Sequence, residues 1–192
     1  MQDERGRRDL VERARLGDED AFARLVTAHL DAAWRFVRAV GGDRVDVDDV
    51  VQEAFLMAWR DLPSLREPGA FEPWLRAVLL HATRNEIRRR GRVRLIPIAM
   101  PSDDQEGHRG TVTEMGRLGS PDPGASIANR DAVGRAFARL SIDERTVLAL
   151  HHLEGWPVER IAAAIGRPSG TVKSRMHTAR RSLRAALAAE DR

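Results

Sequence analysis

The sequence predicts an all-α protein of two small helical domains joined by a flexible linker. Three observations point there. Apolar residues recur at helical spacing in two blocks, 1–95 and 130–192, and no run of strict apolar–polar alternation marks a strand. Between the blocks the period dissolves. Pro97, Pro101, Pro121 and Pro123 alternate with Gly107, Gly110, Gly116, Gly119 and Gly124, and the scattered apolar residues bury too little to offset ordering entropy, so 96–129 reads as linker. The length, 192 residues, suits one ordinary domain or two small ones.

Composition narrows the class. Hydrophobic residues make up 42% and charged residues 32%, which fits a soluble globular chain. No apolar run approaches the roughly 18 residues of a membrane span, and the N-terminal MQDERGRRDL has no apolar signal core, so no membrane insertion is expected. Cysteine is absent, which excludes disulfides, thiolate metal sites and a cysteine nucleophile and suits a cytoplasmic setting. No Walker loop, nucleophile motif or metal-ligand set is present, so neither catalysis nor a cofactor is expected. Net charge is only +3, but 31 of the 32 basic residues are arginine. Arginine grips phosphate with a planar fork, although a GC-rich genome enriches arginine and alanine as well.

In the first block, Asp18 or Asp20 caps a helix carrying Phe22, Leu25, Val26, Leu30, Trp34 and Val37, stopped by Gly41-Gly42. Asp46 or Asp48 opens the next helix, which ends near Pro63. Its Val47, Val50, Val51, Ala54, Phe55 and Ala58 share one face. Asp49, Gln52, Glu53, Leu56 and Arg60 line the other at i, i+3, i+4, i+7 and i+11, which leaves Leu56 exposed on an acidic stripe. A loop from Leu62 to Gly69 leads to a third helix, Phe71 to Arg90, with Pro73 tolerable in its first turn. There Leu75, Val78, Leu79 and Ala82 pack, and His81, Arg84 and Arg88 form a stripe with Asn85 beside it. Trp74 has apolar neighbours on the wheel and belongs to the core.

Charge divides sharply between these helices. Asp43, Asp46, Asp48, Asp49, Glu53 and Asp61 crowd the second, whereas Arg76, Arg84, Arg88, Arg89, Arg90, Arg92 and Arg94 crowd the third. Such asymmetry points to two partners, one basic and one acidic.

The second block ends on a helix with Lys173, Arg175, Arg180, Arg181 and Arg184 and no acid from Gly170 to Leu187. Val172, Met176, Ala179 and Leu183 fall on one side of it, and Lys173, Ser174, His177 and Arg181 on the other, with Thr178 at the edge. Upstream, Val158 to Ile165 is a short helix with Val158, Ile161, Ala162 and Ile165 on one face, and Gly166-Arg-Pro-Ser169 joins the two. A short helix, a tight glycine turn and a basic helix form the helix-turn-helix pattern, whose second helix enters the major groove. The pair His151-His152 does not read as a metal site, because adjacent residues diverge by about 100° on a helix and no third ligand is near.

From LSIDERTVLALHHLEGWPVERIAAAIGRPSGTVKSRMHTARRSL, and most sharply from GTVKSRMHTARRSL, the chain resembles bacterial RNA polymerase sigma factors of the extracytoplasmic-function (ECF) group in the sigma-70 family. The resemblance covers both blocks in the family's order. It implies that 1–95 is sigma region 2, a helical bundle that docks core polymerase and reads the −10 element, and that 130–192 is sigma region 4, which reads −35. It implies core RNA polymerase contacts, through the clamp helices of the largest subunit, at Asp49, Gln52, Glu53, Leu56 and Arg60. It implies −10 contacts at Ser64, Leu65, Arg66 and Glu67, in a loop that captures a flipped base, and at His81, Arg84, Asn85 and Arg88. It implies −35 contacts at Ser169, Thr171, Lys173, Ser174, His177, Thr178 and Arg181. The polymerase flap and an anti-sigma factor are further implied partners, and Asp103, Asp104 and Glu106 of the linker would lie in the polymerase cleft. Three positions depart from the family pattern: Pro157 stands where a Ser or Thr cap is usual, Thr178 where Arg is common, and His81 where Asn is frequent. The rival reading is a helix-turn-helix regulator that binds DNA without docking polymerase.

Overall fold

The computed structural model describes residues 2–93 and 132–190. The expected linker from Pro97 to Asn129, with Asp103, Asp104 and Glu106, lies outside them. Among the described residues the fold is all-α, with no strand. In chain order the helices are α1 (Gln2–Arg15), α2 (Glu19–Gly41), α3 (Val47–Asp61), α4 (Phe71–Val93), α5 (132–138), α6 (Ile142–His152), α7 (Val158–Ile165) and α8 (Ser169–Glu190).

Local chemistry fixes where the helices start and stop. Asp18 is the N-cap of α2: its Oδ1 accepts from the Ala21 N–H at 2.9 Å. Its other oxygen takes the Arg13 fork at 2.9 and 2.7 Å, which ties α1 to the start of α2. At the far end of α2, a Cβ on Gly41 would stand 2.4 Å from the Val45 side chain, and Gly42 turns the chain at φ +60°. Only glycine suits both positions. Asp46 caps α3 by accepting from the Asp48 and Asp49 N–H groups. Pro68–Ala70 forms a 3-10 turn that leads directly into α4.

The core is continuous. Leu25, Phe36, Val37 and Val40 of α2 are buried with Val50, Val51 and Ala54 of α3 and Leu75 and Leu79 of α4. The same buried cluster runs on through Val147 and Leu150 of α6 to Trp156, Ile161 of α7, and Val172, Met176 and Ala179 of α8. α2 is the hub: it packs on α1, α3, α4 and α6, while α4 also packs on α7. Ser141 and Glu144 form a capping box at the start of α6, and the free Glu144 oxygen accepts the Ser182 hydroxyl of α8 at 2.9 Å.

His29 sits inside this core, 8% exposed, against the Phe71 ring at 5.4 Å, with no partner for Nε2. Burial pushes its imidazole below the ordinary range, with Glu72 opposing and Arg76 and Arg7 adding to the push. Burial, with His151 and Arg180, lowers His152 in the same direction. A histidine held neutral when folded binds its proton more readily when unfolded, so stability is lost as pH falls below about 6.5 and levels off below the depressed folded value. Melting temperature should therefore drop between about pH 7 and pH 5, and His29→Leu should flatten that drop. A variant whose pH slope matches the wild type would remove His29 as its source.

Candidate functional site

Three surfaces carry the expected site residues. The first lies along α2 and α3. Val47, Val50, Val51, Ala54, Phe55 and Ala58 are buried, which turns Asp49, Gln52, Glu53, Leu56 and Arg60 outward. Leu56 is 60% exposed, and Arg60 pairs with Asp61 at 2.8 Å. Beside this stripe runs an apolar groove of about 660 Å³, lined by Phe22, Val26, Leu30, Trp34, Phe55, Leu56 and Trp59, with the exposed acids Glu19, Asp31 and Asp48 among its walls.

Leu30 and Trp34 of α2 are 44% and 43% exposed. α1, α3, α4 and α6 occupy the other sides of α2, and this stripe is left to form a wall. Trp34 is nonetheless held: its Nε1–H donates to Asp48 Oδ1 at 3.1 Å, and toward the other ends of the two helices the Phe22 ring of α2 meets the Trp59 ring of α3 at 4.8 Å. The legible signal was a leucine and a tryptophan at i and i+4 with one acid, Asp31, between them, which reads equally as a core stripe.

The second surface is α4 with the loop before it. Ser64, Arg66 and Glu67 are exposed, and the Ser64 hydroxyl donates to the Asp61 carbonyl. Leu65 departs from its expected role: at 6% exposure it is buried and anchors the loop to the core. On α4, His81 and Arg88 are exposed, while Arg84 and Asn85 are half-buried. Asn85 accepts a hydrogen bond from Arg88, and Arg84 pairs with Asp143 of α6 at 2.6 Å. Trp74 lies partly buried beside Phe71, as expected of a core aromatic.

The third surface is α8. Pro157 precedes α7 without a side-chain cap, and Gly166, in the left-handed region at φ +62°, closes α7 by donating to the Ala162 and Ala163 carbonyls. The chain turns at once into α8. Val172, Met176 and Ala179 are buried, leaving Lys173, Ser174, His177, Thr178 and Arg181 exposed, with Ser169 and Thr171 half-buried at the helix start. One helix thus presents an unbroken polar and cationic face next to a glycine turn, the arrangement that lets a helix N-terminus reach base edges. His151 is occupied by the fold, its Nδ1 lying 3.1 Å from the Trp156 carbonyl.

Family comparison decides the identity. Residues 25–93 match Sigma-70 region 2 and residues 130–183 match Sigma-70, region 4. The chain belongs to the ECF group of sigma-70 factors. It is 34% identical over 180 residues to the ECF RNA polymerase sigma-E factor of Escherichia coli strain K12, covering 91% of this chain and 90% of that one. It is 31% identical to the ECF RNA polymerase sigma factor SigE of Mycolicibacterium smegmatis, covering 90% of this chain and 65% of that longer one. Among solved structures it is similar to CnrH in complex with the cytosolic domain of CnrY, with TM-score 0.64, 27% identity and coverage of 95% and 97%. It is also similar to the sigma factor RpoE in complex with the anti-sigma factor NepR from Bartonella quintana, with TM-score 0.65, 25% identity and coverage of 86% and 96%. Among the described residues of this sigma factor, no helix is long and apolar enough to cross a membrane.

The start of α3 depends on its cap. Asp46→Ala frees two N–H groups at the start of α3 and should cost about 1 kcal/mol, whereas Asp46→Asn should cost much less. Urea denaturation of the two variants measures the difference, and equal losses would show that the cap is not what holds α3.

Proposed function

We propose that this sigma factor docks core RNA polymerase through the groove between α2 and α3 and directs the enzyme to a two-part promoter, without catalysis of its own. The groove is the observation that carries the reading: an apolar channel with Trp34 and Leu56 exposed, walled partly by acids, fits an amphipathic helical partner with a basic flank. The clamp helices of the largest polymerase subunit are that partner, contacted by Asp49, Gln52, Glu53, Leu56 and Arg60, and the flap receives the second domain. Ser64, Arg66, Glu67, His81, Arg84, Asn85 and Arg88 meet the −10 element, and Leu65 supports their loop from within. Ser169, Thr171, Lys173, Ser174, His177, Thr178 and Arg181 meet −35. The division runs 1–95 for region 2, 96–129 for the connection and 130–192 for region 4. One similar structure is the sigma factor RpoE bound to the anti-sigma factor NepR, and another is CnrH bound to the cytosolic domain of CnrY, which supports an anti-sigma partner for this chain. The site of action is the cytoplasm, at the nucleoid once holoenzyme forms.

Docking is tested by Glu53→Arg combined with Leu56→Ala, which should abolish capture of core polymerase while leaving melting nearly unchanged, because exposed sites contribute little stability. Trp34→Ala alone should weaken capture about tenfold or more, as expected for a truncated aromatic anchor. Unaltered affinity in the double variant would overturn the docking assignment. Promoter binding by a chain that no longer captures core would favour the regulator reading.

Promoter reading divides α8 into two kinds of contact. Lys173→Ala, near the helix start, should narrow the preference for promoter over scrambled −35 duplex by about 1–3 kcal/mol. Arg181→Ala, a turn or two further on, should weaken both duplexes alike and lower the salt slope by about 1. Titrations at several salt concentrations separate the two, and indifference to both changes would remove α8 from the groove.

A further inference from the structure

The loop proposed to meet the −10 element is held from outside the matched family segment. Residues 25–93 match region 2, so α1 lies before the match. Yet α1 packs on both 3-10 turns of the loop, Leu62–Ser64 and Pro68–Ala70, as well as along α2. Two neighbouring arginines make the attachment specific. Arg7 Nη1 donates to Glu72 Oε1 at 2.8 Å, in the first turn of α4. Arg8 reaches instead to Gly69. A Cβ added to Gly69 would stand 3.4 Å from Arg8 Nη2, 3.6 Å from Nε and 3.7 Å from Cζ. Three atoms at ordinary contact distance from one point show that the guanidinium lies against the glycine instead of touching it by a tip. A longer side chain at 69 would occupy the same space.

Charge gives this placement a meaning. Ser64, Arg66, Glu67 and Gly69 are exposed, and Arg8 is exposed beside them. Within the loop the charges cancel, Arg66 against Glu67, and Glu72 beyond it is already met by Arg7. The loop therefore brings no net cation to a strand of phosphates, and Arg8 adds one. At about 3.8 Å per residue, the Arg8 guanidinium is within roughly 13 Å of the Glu67 backbone, the span of a few nucleotides. Drawing a base out of its stack has a cost that contacts to base and backbone together must return. Phosphate contacts fix the register of such a strand without reading its sequence. A planar, permanently charged fork suits that task.

We infer that Arg8 is a further DNA contact of this factor: its guanidinium, seated on Gly69, holds a phosphate of the single strand whose base the loop takes. α1 is then part of the promoter surface. The place of that phosphate beside a captured base rests on the −10 assignment of the loop; the phosphate contact itself does not.

The full chain is titrated with a short, labelled, mixed-sequence single-stranded DNA at several salt concentrations. Arg8→Ala should weaken binding about fivefold at low salt and lower the magnitude of the salt slope by about 0.7, the single-strand value for one phosphate. Arg8→Lys keeps the charge and should keep the slope. An arginine that merely propped up the loop would cost affinity in both variants and leave the slope alone in both. Arg35→Ala removes the same charge from an exposed position on α2 and should leave the slope at the wild-type value. Gly69→Leu should weaken binding as Arg8→Ala does and add nothing to it in the double variant. An unchanged slope in Arg8→Ala, an equal fall in Arg35→Ala, or a wild-type chain that does not bind the strand overturns the contact. Full additivity of Gly69→Leu and Arg8→Ala overturns the seat on Gly69. Ser64→Ala combined with Arg66→Ala probes the loop separately. If that pair weakens binding and Arg8→Ala does not, the loop keeps its assignment and the Arg8 contact falls. If Arg8→Ala lowers the slope and the pair changes nothing, the phosphate contact stands and the −10 assignment of the loop falls.

Discussion

Everything in this fold is arranged around the competition for the surface of α2. A helix of 23 residues offers its partners about 34 Å of length at 1.5 Å per residue. α1, α3, α4 and α6 all take part of it, and Phe36, Val37 and Val40 disappear completely beneath them. What remains is the Leu30–Trp34 strip, which no element of the described chain covers and which becomes one wall of the apolar groove. The groove is thus the remainder left when the core is satisfied, and in the proposed reading a docked partner would complete the coat of α2. Glu19, Asp31 and Asp48 among its walls keep that remainder wettable and give it a sign.

The helices and their faces were legible in the sequence because they rest on local rules. A capping aspartate, a 3.6-residue period and a glycine stop sufficed to place α2, α3, α4, α7 and α8, and structure selected Asp18 over Asp20 and Asp46 over Asp48 as caps. The buried row of α8 and the outward stripe of α3 follow from the same arithmetic. That Leu30 and Trp34 are left uncovered was not legible, because period alone cannot say which apolar residue loses its neighbour to a competing helix. The family resemblance supplied what period cannot, the partners. Hidden altogether was the meeting of the two halves. Arg76, Asp143, Arg145, Glu154 and Arg160 are scattered over the chain, and ion pairs 59 and 78 residues apart, such as Arg84–Asp143 and Arg76–Glu154, leave no periodic trace.

Arginine serves opposite ends in the two settings. On α8 its fork is exposed and its charge is permanent, so it can neutralise phosphate under any cellular condition. At the meeting of the halves the same group is buried or shared. Arg76 meets Glu154 through Nη2 alone, with Nε and Nη1 unpartnered, Arg160 stacks over the Trp156 ring at 4.3 Å while reaching Glu72, and Arg145 is likewise left with open valences. The Glu72 carboxyl records this crowding: burial pushes it up, but Arg160 and Arg7 hold it below the usual range. A composition rich in one cation has thus been spent both on outward contact and on internal joinery.

The bond from Ser182 to Glu144 fixes something finer than stability. Glu144 already closes the capping box of α6, so the tail of α8 is pinned to the first turn of another helix. A helix held at both its glycine turn and its tail cannot roll about its own axis. A roll of a single residue step, about 100°, would bring Arg175 outward and carry Ser174 away. The face that α8 presents is therefore set by a hydroxyl about one and a half turns beyond His177, and under the proposed promoter reading a change at Ser182 would be felt as altered spelling rather than lost grip.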